Sequence, residues 1–219
     1  MRLHILTFAI LLVVGGVRSA AAHDFTWRNL MLASAKLRPS FDAEANVDSY
    51  LQIYRADVWK RYHNDEFELA DKRRETIEIM ERDIEQFKLD EDFTIRGNLQ
   101  FGTYDFKTGR FPIAGISEDS YYYESQYSSG TFPSTFKVFF SNPTLLDGIN
   151  MPEAEAKEFL RLRKDRYGDV NRRLYAKLNV RLHKLKSGDS ELLGEIRSAK
   201  IYADDKYTKL IAEFAEKKE

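Results

Sequence analysis

The chain has 219 residues, with 34 Lys and Arg against 35 Asp and Glu, no cysteine, and 13% aromatic residues. The near balance of charge argues against a general nucleic-acid or anionic-membrane binder, which needs a clustered excess of cations to neutralise phosphates. Without cysteine there can be no disulfide framework, thiol nucleophile or lipid-modified amino-terminal cysteine, and so many core-forming side chains exclude a disordered chain.

Met1-Arg2-Leu3-His4 leads into an apolar run from Ile5 to Val14 and then into Ala20-Ala21-Ala22, the order of a cleavable signal peptide over residues 1–22. The run is shorter than the ~20 residues of a bilayer span, and Gly15, Gly16 and Arg18 interrupt its end, so no stable membrane span is expected after cleavage. The expectation is a periplasmic or secreted protein whose residues 23–219 form one domain. Residues 23–45 show no sustained period and are read as a partly ordered lead-in. Val47, Leu51, Tyr54, Val58 and Tyr62 then share one face of a helix. Asp65, with Glu68 three residues on, is placed to cap a second helix whose face is Ala70, Arg73, Ile77, Met80, Ile84 and Phe87. The two make a long antiparallel helical pair.

After Asp90 the period becomes two. Phe93, Ile95, Leu99 and Phe101 form a strand, and a turn at Lys107-Thr108-Gly109-Arg110 returns the chain into Phe111-Pro112-Ile113. Phe136, Val138 and Phe140 alternate in another strand that Asn142-Pro143 ends, and a helix is expected from Pro152 to Tyr167, stopped by Gly168. The clearest pattern is in Arg172–Lys186, where Leu174, Ala176, Leu178, Val180 and Leu182 fall on every second residue and Arg173, Tyr175, Lys177, Asn179 and Arg181 on the other face. A turn leads into a strand over Leu192–Tyr202, and Tyr207, Leu210, Ile211 and Phe214 suggest a short closing helix. The fold class is therefore α+β: an antiparallel sheet of about five strands, a long N-terminal helical pair and two further helices.

Chemistry is sparse. The expected mature chain has three scattered histidines, His23, His63 and His183, with no His-x-x-x-His pair. A new amino terminus at His23 could chelate copper with a second imidazole, but nothing else in the sequence joins it, so no metal and no cofactor is expected. No P-loop, Gly-x-Ser-x-Gly or Gly-x-Gly-x-x-Gly is present. Glu66, Glu68, Asp105, Glu118 and Asp119 are available as paired carboxylates for glycoside cleavage, but among 35 acidic residues helix caps and solvated faces are the better account of each. Arg73 and Arg163 each interrupt an apolar helical stripe, and the two could share a carboxylate such as Asp105 as a structural pin. The basic face of Arg173, Lys177 and Arg181 could receive an acidic partner, unless Glu195 and Asp204 neutralise it across the ladder.

The segment that stands out is Tyr121-Tyr122-Tyr123 and Tyr127, set among serines and a glycine. Tyrosine gives broad amphipathic contact at low entropic cost and serine adapts around it, the mixture of recognition loops that meet proteins or glycans. A structural role, covering a sheet edge or filling the core, competes with that reading.

The order of features carries a resemblance: the Trp59 helix, Asp65-Glu66-Phe67-Glu68, a long charged helix, Tyr104-Asp105-Phe106 with Phe111, the Asn142 turn, a helix with Ala156 and Arg163, and a paired-strand ending. Together these resemble a family of exported bacterial proteins of unknown function. The resemblance implies an envelope or secreted protein and brings no catalytic residues. The function expected is a non-catalytic binding factor for a protein or glycan, not for nucleic acid, using Tyr121, Tyr122, Tyr123 and Tyr127. A carboxylate-dependent envelope hydrolase and a purely structural periplasmic component are the alternatives.

Overall fold

The computed structural model describes residues 22–127 and 130–216, so the expected signal peptide lies outside the described residues except for Ala22. The region read as a lead-in is ordered: a two-residue strand, β1 (His23–Asp24), precedes α1 (Trp27–Leu37). Helix α1 buries Trp27 and the whole run from Leu30 to Ala35, and a helix apolar nearly all round has no stripe for periodicity to detect. Its N-cap is Thr26, whose side chain accepts from the Asn29 N–H.

The expected first helix is two, α2 (Ala43–Tyr54) and α3 (Ala56–Tyr62), broken at Arg55, which leaves helical geometry at φ −131°, ψ 42°. The Arg55 guanidinium donates to Thr76 Oγ1 at 2.7 Å and Glu75 Oε1 at 2.6 Å, so the break is pinned to α4 (Glu66–Gln86). Asp65 caps α4 as expected, accepting from the N–H groups of Phe67 and Glu68. Arg73 is neither buried nor shared with Arg163. It makes a two-point ion pair with Asp48 of α2, at 2.6 and 2.7 Å.

The sheet is larger than expected and mixed. Its strands are β2 (Phe93–Phe101), β3 (Arg110–Ala114), β4 (Tyr121–Ser125), β5 (Thr135–Phe140), β6 (Gly148–Asn150), β7 (Arg173–Ser187), β8 (Glu191–Tyr202) and β9 (Leu210–Ala215), in the order β4-β5-β8-β7-β2-β3-β6, with β1 on β2 and β9 on β8. Two pairings, β1 with β2 and β5 with β8, are parallel. Of the strands beyond the expected five, β1 and β6 are too short to show a period, β4 lies in the segment read as a loop, and β9 occupies the segment read as the closing helix. Tyr207, Leu210, Ile211 and Phe214 fit helical spacing, but the open edge of β8 supplies a ladder, and tertiary pairing overrides local pattern. Helix α5 (Glu153–Arg161) stops well short of Tyr167, giving way to a turn closed by a bridge between Lys164 and Val170.

One buried cluster joins the layers. Leu30 and Met31 of α1, Met80 of α4 and the inner residues of β2, β5, β7 and β8 all belong to it, including every one of the five alternating positions of β7. Asn142, just after β5, acts as a surrogate peptide: its Oδ1 accepts from the Ile196 N–H at 2.8 Å and its Nδ2 donates to the Ile196 carbonyl at 3.0 Å. The sheet curls far enough to bring its end strand β4 back against β2. Tyr122 of β4 lies against Gly97 of β2, although β5, β8 and β7 separate the two strands along the sheet, and its hydroxyl reaches the Asn98 carbonyl at 3.4 Å. No helix among the described residues is long and apolar enough to cross a membrane.

Candidate functional site

The tyrosine segment is a strand, not a loop, and the alternation of strand side chains divides its residues between two environments. Tyr121 and Tyr123 point outward, 45% and 59% exposed, with ring centroids 6.3 Å apart. Opposite them on β5 stand Phe139 and Lys137. The Tyr121 ring packs on Phe139 at 5.2 Å, Lys137 Nζ lies 4.9 Å from the Tyr121 ring centre, and Lys186 Nζ lies 3.7 Å from that of Phe139. Lys137 also faces Glu191 at 3.7 Å. The surface is a small aromatic platform edged by cations and held on a paired strand, so its rings lose little further freedom on contact.

Tyr122 turns inward, where it meets Phe140 and Gly97, and burial pushes its hydroxyl up to about 12. It belongs to the core rather than to the outward platform. Tyr127 lies past the end of β4 and is 89% exposed. Of the four tyrosines, then, two are brought together on one surface.

The carboxylates considered for acid and base chemistry do not converge. Glu66 and Glu68 sit in the first turn of α4, Asp105 is occupied by the β2–β3 turn, and Glu118 and Asp119 lie between β3 and β4. Bonds from Thr108 and the Lys107 N–H hold the Asp105 carboxyl below its usual range, and neither Arg73 nor Arg163 contacts it. Arg163 instead spreads its donors over three backbone carbonyls, those of Asn171 (2.7 Å), Ala203 (3.1 Å) and Arg173. It forms one wall of a cleft of about 690 Å³ with Phe159, Tyr175 and Lys209, and burial away from water lowers its pKa. A smaller cleft of about 260 Å³ runs along the seam between β4 and β2, lined by Asp24, Phe25, Thr94, Arg96 and Glu124. Burial raises the Glu124 carboxyl above its ordinary value.

Of a second outward surface only Lys177, on the basic face, was visible in the sequence, because its parts come from four segments. Arg181 of the basic face is neutralised by Asp92 rather than by Glu195, which pairs with Arg197; Asp204 is consumed by its own turn, accepting from Thr208 and Lys209. Lys177 has no carboxylate within ion-pairing distance among the described residues and lies instead over the rings of Tyr202 and Tyr207, at 5.4 and 4.8 Å. Tyr207 is held in the left-handed region, φ +55°, the one non-glycine residue described there, a conformation that costs about 1–2 kcal/mol for a side chain of its kind.

A family model, the domain of unknown function DUF4852, matches residues 42–162, more than half of the chain. The match takes in the Tyr121–Tyr123 platform and ends before β7. No curated protein and no solved structure matches.

Proposed function

We propose the following for this chain, which belongs to the DUF4852 family of unknown function: it is an exported, non-catalytic protein of one domain that binds a protein partner through the outward face of β4 and β5. The observation that carries this reading is the pair Tyr121 and Tyr123, exposed on a rigid strand beside Phe139 and flanked by Lys137 and Lys186. Tyrosines in such a setting make good contact anchors, and the two lysines favour a partner surface rich in carboxylates. Export rests on the order of residues 1–22. It is supported by β1, which begins at His23 with its N–H donating to the Asp92 carbonyl at 2.8 Å, so cleavage after Ala22 would leave the strand whole.

The test is a photoreactive side chain at Tyr123 in producing cells, with the same probe at Arg74 on α4 as control. A discrete adduct at Tyr123 alone should appear, and the purified partner should bind the Tyr121→Ala/Tyr123→Ala protein at least ~10-fold more weakly than wild type. Equal binding by that variant, or no position-specific adduct, would refute the protein-partner reading; a glycan captured in place of a protein would also refute it. Mass analysis of the exported protein should show His23 as its first residue.

A second reading, the carboxylate-dependent envelope hydrolase, is favoured by the seam cleft, where Glu124 with its raised pKa stands near Asp24 and Arg96. It requires that purified protein release reducing ends from cell-wall glycan and that Glu124→Gln abolish the release.

A further inference from the structure

We propose that the outward face of β2, β7 and β8 is a second binding site, for an acidic polysaccharide. The ladder register places Arg96 opposite Lys177 and Lys177 opposite Lys200, so three cations stand in one row across three adjacent strands. Strands lie ~4.8 Å apart, so the row spans about 10 Å. Like charges directly opposite one another are unfavourable in a sheet unless an anion is shared between them. The chain answers only the last of the three, with Glu213 of β9 at 3.3 Å from Lys200. Neither Arg96 nor Lys177 has a carboxylate within 4 Å among the described residues; Asp24 and Glu124 share the seam cleft with Arg96 without reaching that distance.

The tyrosines around the row narrow the ligand. Tyr207 leans over the sheet from the β8–β9 turn, with Lys177 Nζ 4.8 Å and the Arg96 guanidinium 5.8 Å from its ring centre. It packs edge-on against Tyr202 and Tyr175. The ring positions the cations and lends them negative quadrupole, and a residue kept at φ +55° to do so is over-determined by its surroundings. With Tyr207 engaged by cations and Tyr202 buried, these two rings are poorly placed for nucleic-acid bases to stack on. At the row itself Lys177 lies between strands β2 and β8 and Lys200 between β7 and β9, so at those two positions no backbone is left for an added peptide strand. Beside the row, Asn98 and Gln100 of β2 are exposed, and their side-chain amides make no hydrogen bond among the described residues. Unspent amides next to unspent cations suit a ligand that carries many hydroxyls and regularly spaced carboxylates.

The probe is polygalacturonate, a uronate homopolymer, titrated calorimetrically into the purified protein, with its methyl ester, an oligothymidylate and polyglutamate as comparisons. Wild type should bind polygalacturonate with an affinity that falls steeply with salt, and should not bind the ester. Arg96→Gln/Lys200→Gln, at two exposed positions that leave the core untouched, should weaken binding at least ~10-fold, while Arg74→Gln on α4, an equal change in charge per site, should stay within about twofold. Lys177→Gln should act in the same direction, with circular dichroism confirming that it folds. The proposal is overturned if folded wild type does not bind polygalacturonate, if the double variant binds as wild type does, or if the oligonucleotide or polyglutamate binds more tightly. Tyr121→Ala/Tyr123→Ala should bind the polysaccharide normally, which separates this site from the protein-binding face.

Discussion

Replacing Gly97 with alanine tests whether the curled sheet brings Tyr122 of β4 against β2. A Cβ at residue 97 would stand 2.1 Å from Tyr122 Cε1 and 2.3 Å from its hydroxyl. Carbon atoms pack at about 3.5 Å or more, so the ring must withdraw by about 1.4 Å or swing out of the seam. If the swing re-exposes about 80 Å² of apolar ring, the loss at 25 cal/mol per Å² is about 2 kcal/mol, in the range of core overpacking. Removing the ring relieves the clash: in a Tyr122→Ala background, Gly97→Ala should be neutral or stabilise slightly, since alanine suits an extended strand better than glycine by about 0.5–1 kcal/mol. The four proteins of this cycle, unfolded in urea, should therefore show a coupling energy of about 2–3 kcal/mol between positions 97 and 122. Additive effects would mean that β4 does not lie over β2.

Three further outcomes follow from the same geometry. Arg163→Met should lower stability by about 1–3 kcal/mol by stripping three carbonyls of a charged donor, and Arg163→Lys should recover only part of it, because a single ammonium cannot reproduce the planar fork; an unchanged urea midpoint for the methionine variant would count against the clip. Asn142→Asp replaces the donor facing the Ile196 carbonyl with an acceptor and should destabilise by about 1–3 kcal/mol at neutral pH, with partial recovery in acid, read by thermal melts at both pH values. Glu124 has a folded-state pKa raised by burial, so the native protein binds its proton more tightly than the unfolded chain does. Its contribution is thus most favourable below the unfolded value and is lost as pH rises through the folded one. Glu124→Gln should therefore stabilise at neutral pH and lose that advantage as the pH is lowered past the ordinary glutamate range; a gain that persists unchanged in acid would sink the assignment.

The parts of the fold that were legible in the sequence are those where one face meets core and the other meets water. β7 is the clearest case, with Leu174, Ala176, Leu178, Val180 and Leu182 all buried; α4 was legible in its start and its cap at Asp65, but it buries Leu69, Thr76 and Met80, and Ala70 of the expected face is exposed. Three kinds of element escaped. Helix α1 is buried on too many sides to show a stripe, β1 and β6 are too short to show a period, and β9 carries helical spacing that its neighbour β8 overrides. The tyrosine segment announced itself by composition, yet which rings face water depends on strand parity and on the curl that hides Tyr122. The cation row was half visible in Lys177. Its other members, Arg96 and Lys200, join it only through register, which no local pattern specifies.

The position of β7 sets the order in which this protein can assemble. Its pairing with β8 is a hairpin between neighbours, closed by the turn after Ser187, whereas its partners on β2 lie between 73 and 87 residues away in sequence. Closing so long a loop costs entropy before any contact repays it, and folds dominated by distant pairings are slow. Every residue up to the end of β7 must therefore have been delivered before the middle of the sheet exists. Until then the side of helix α1 that meets β7 and part of the apolar face of β2 stay uncovered, and the chain's exposure to aggregation and to chaperones ends only once β7 is in place.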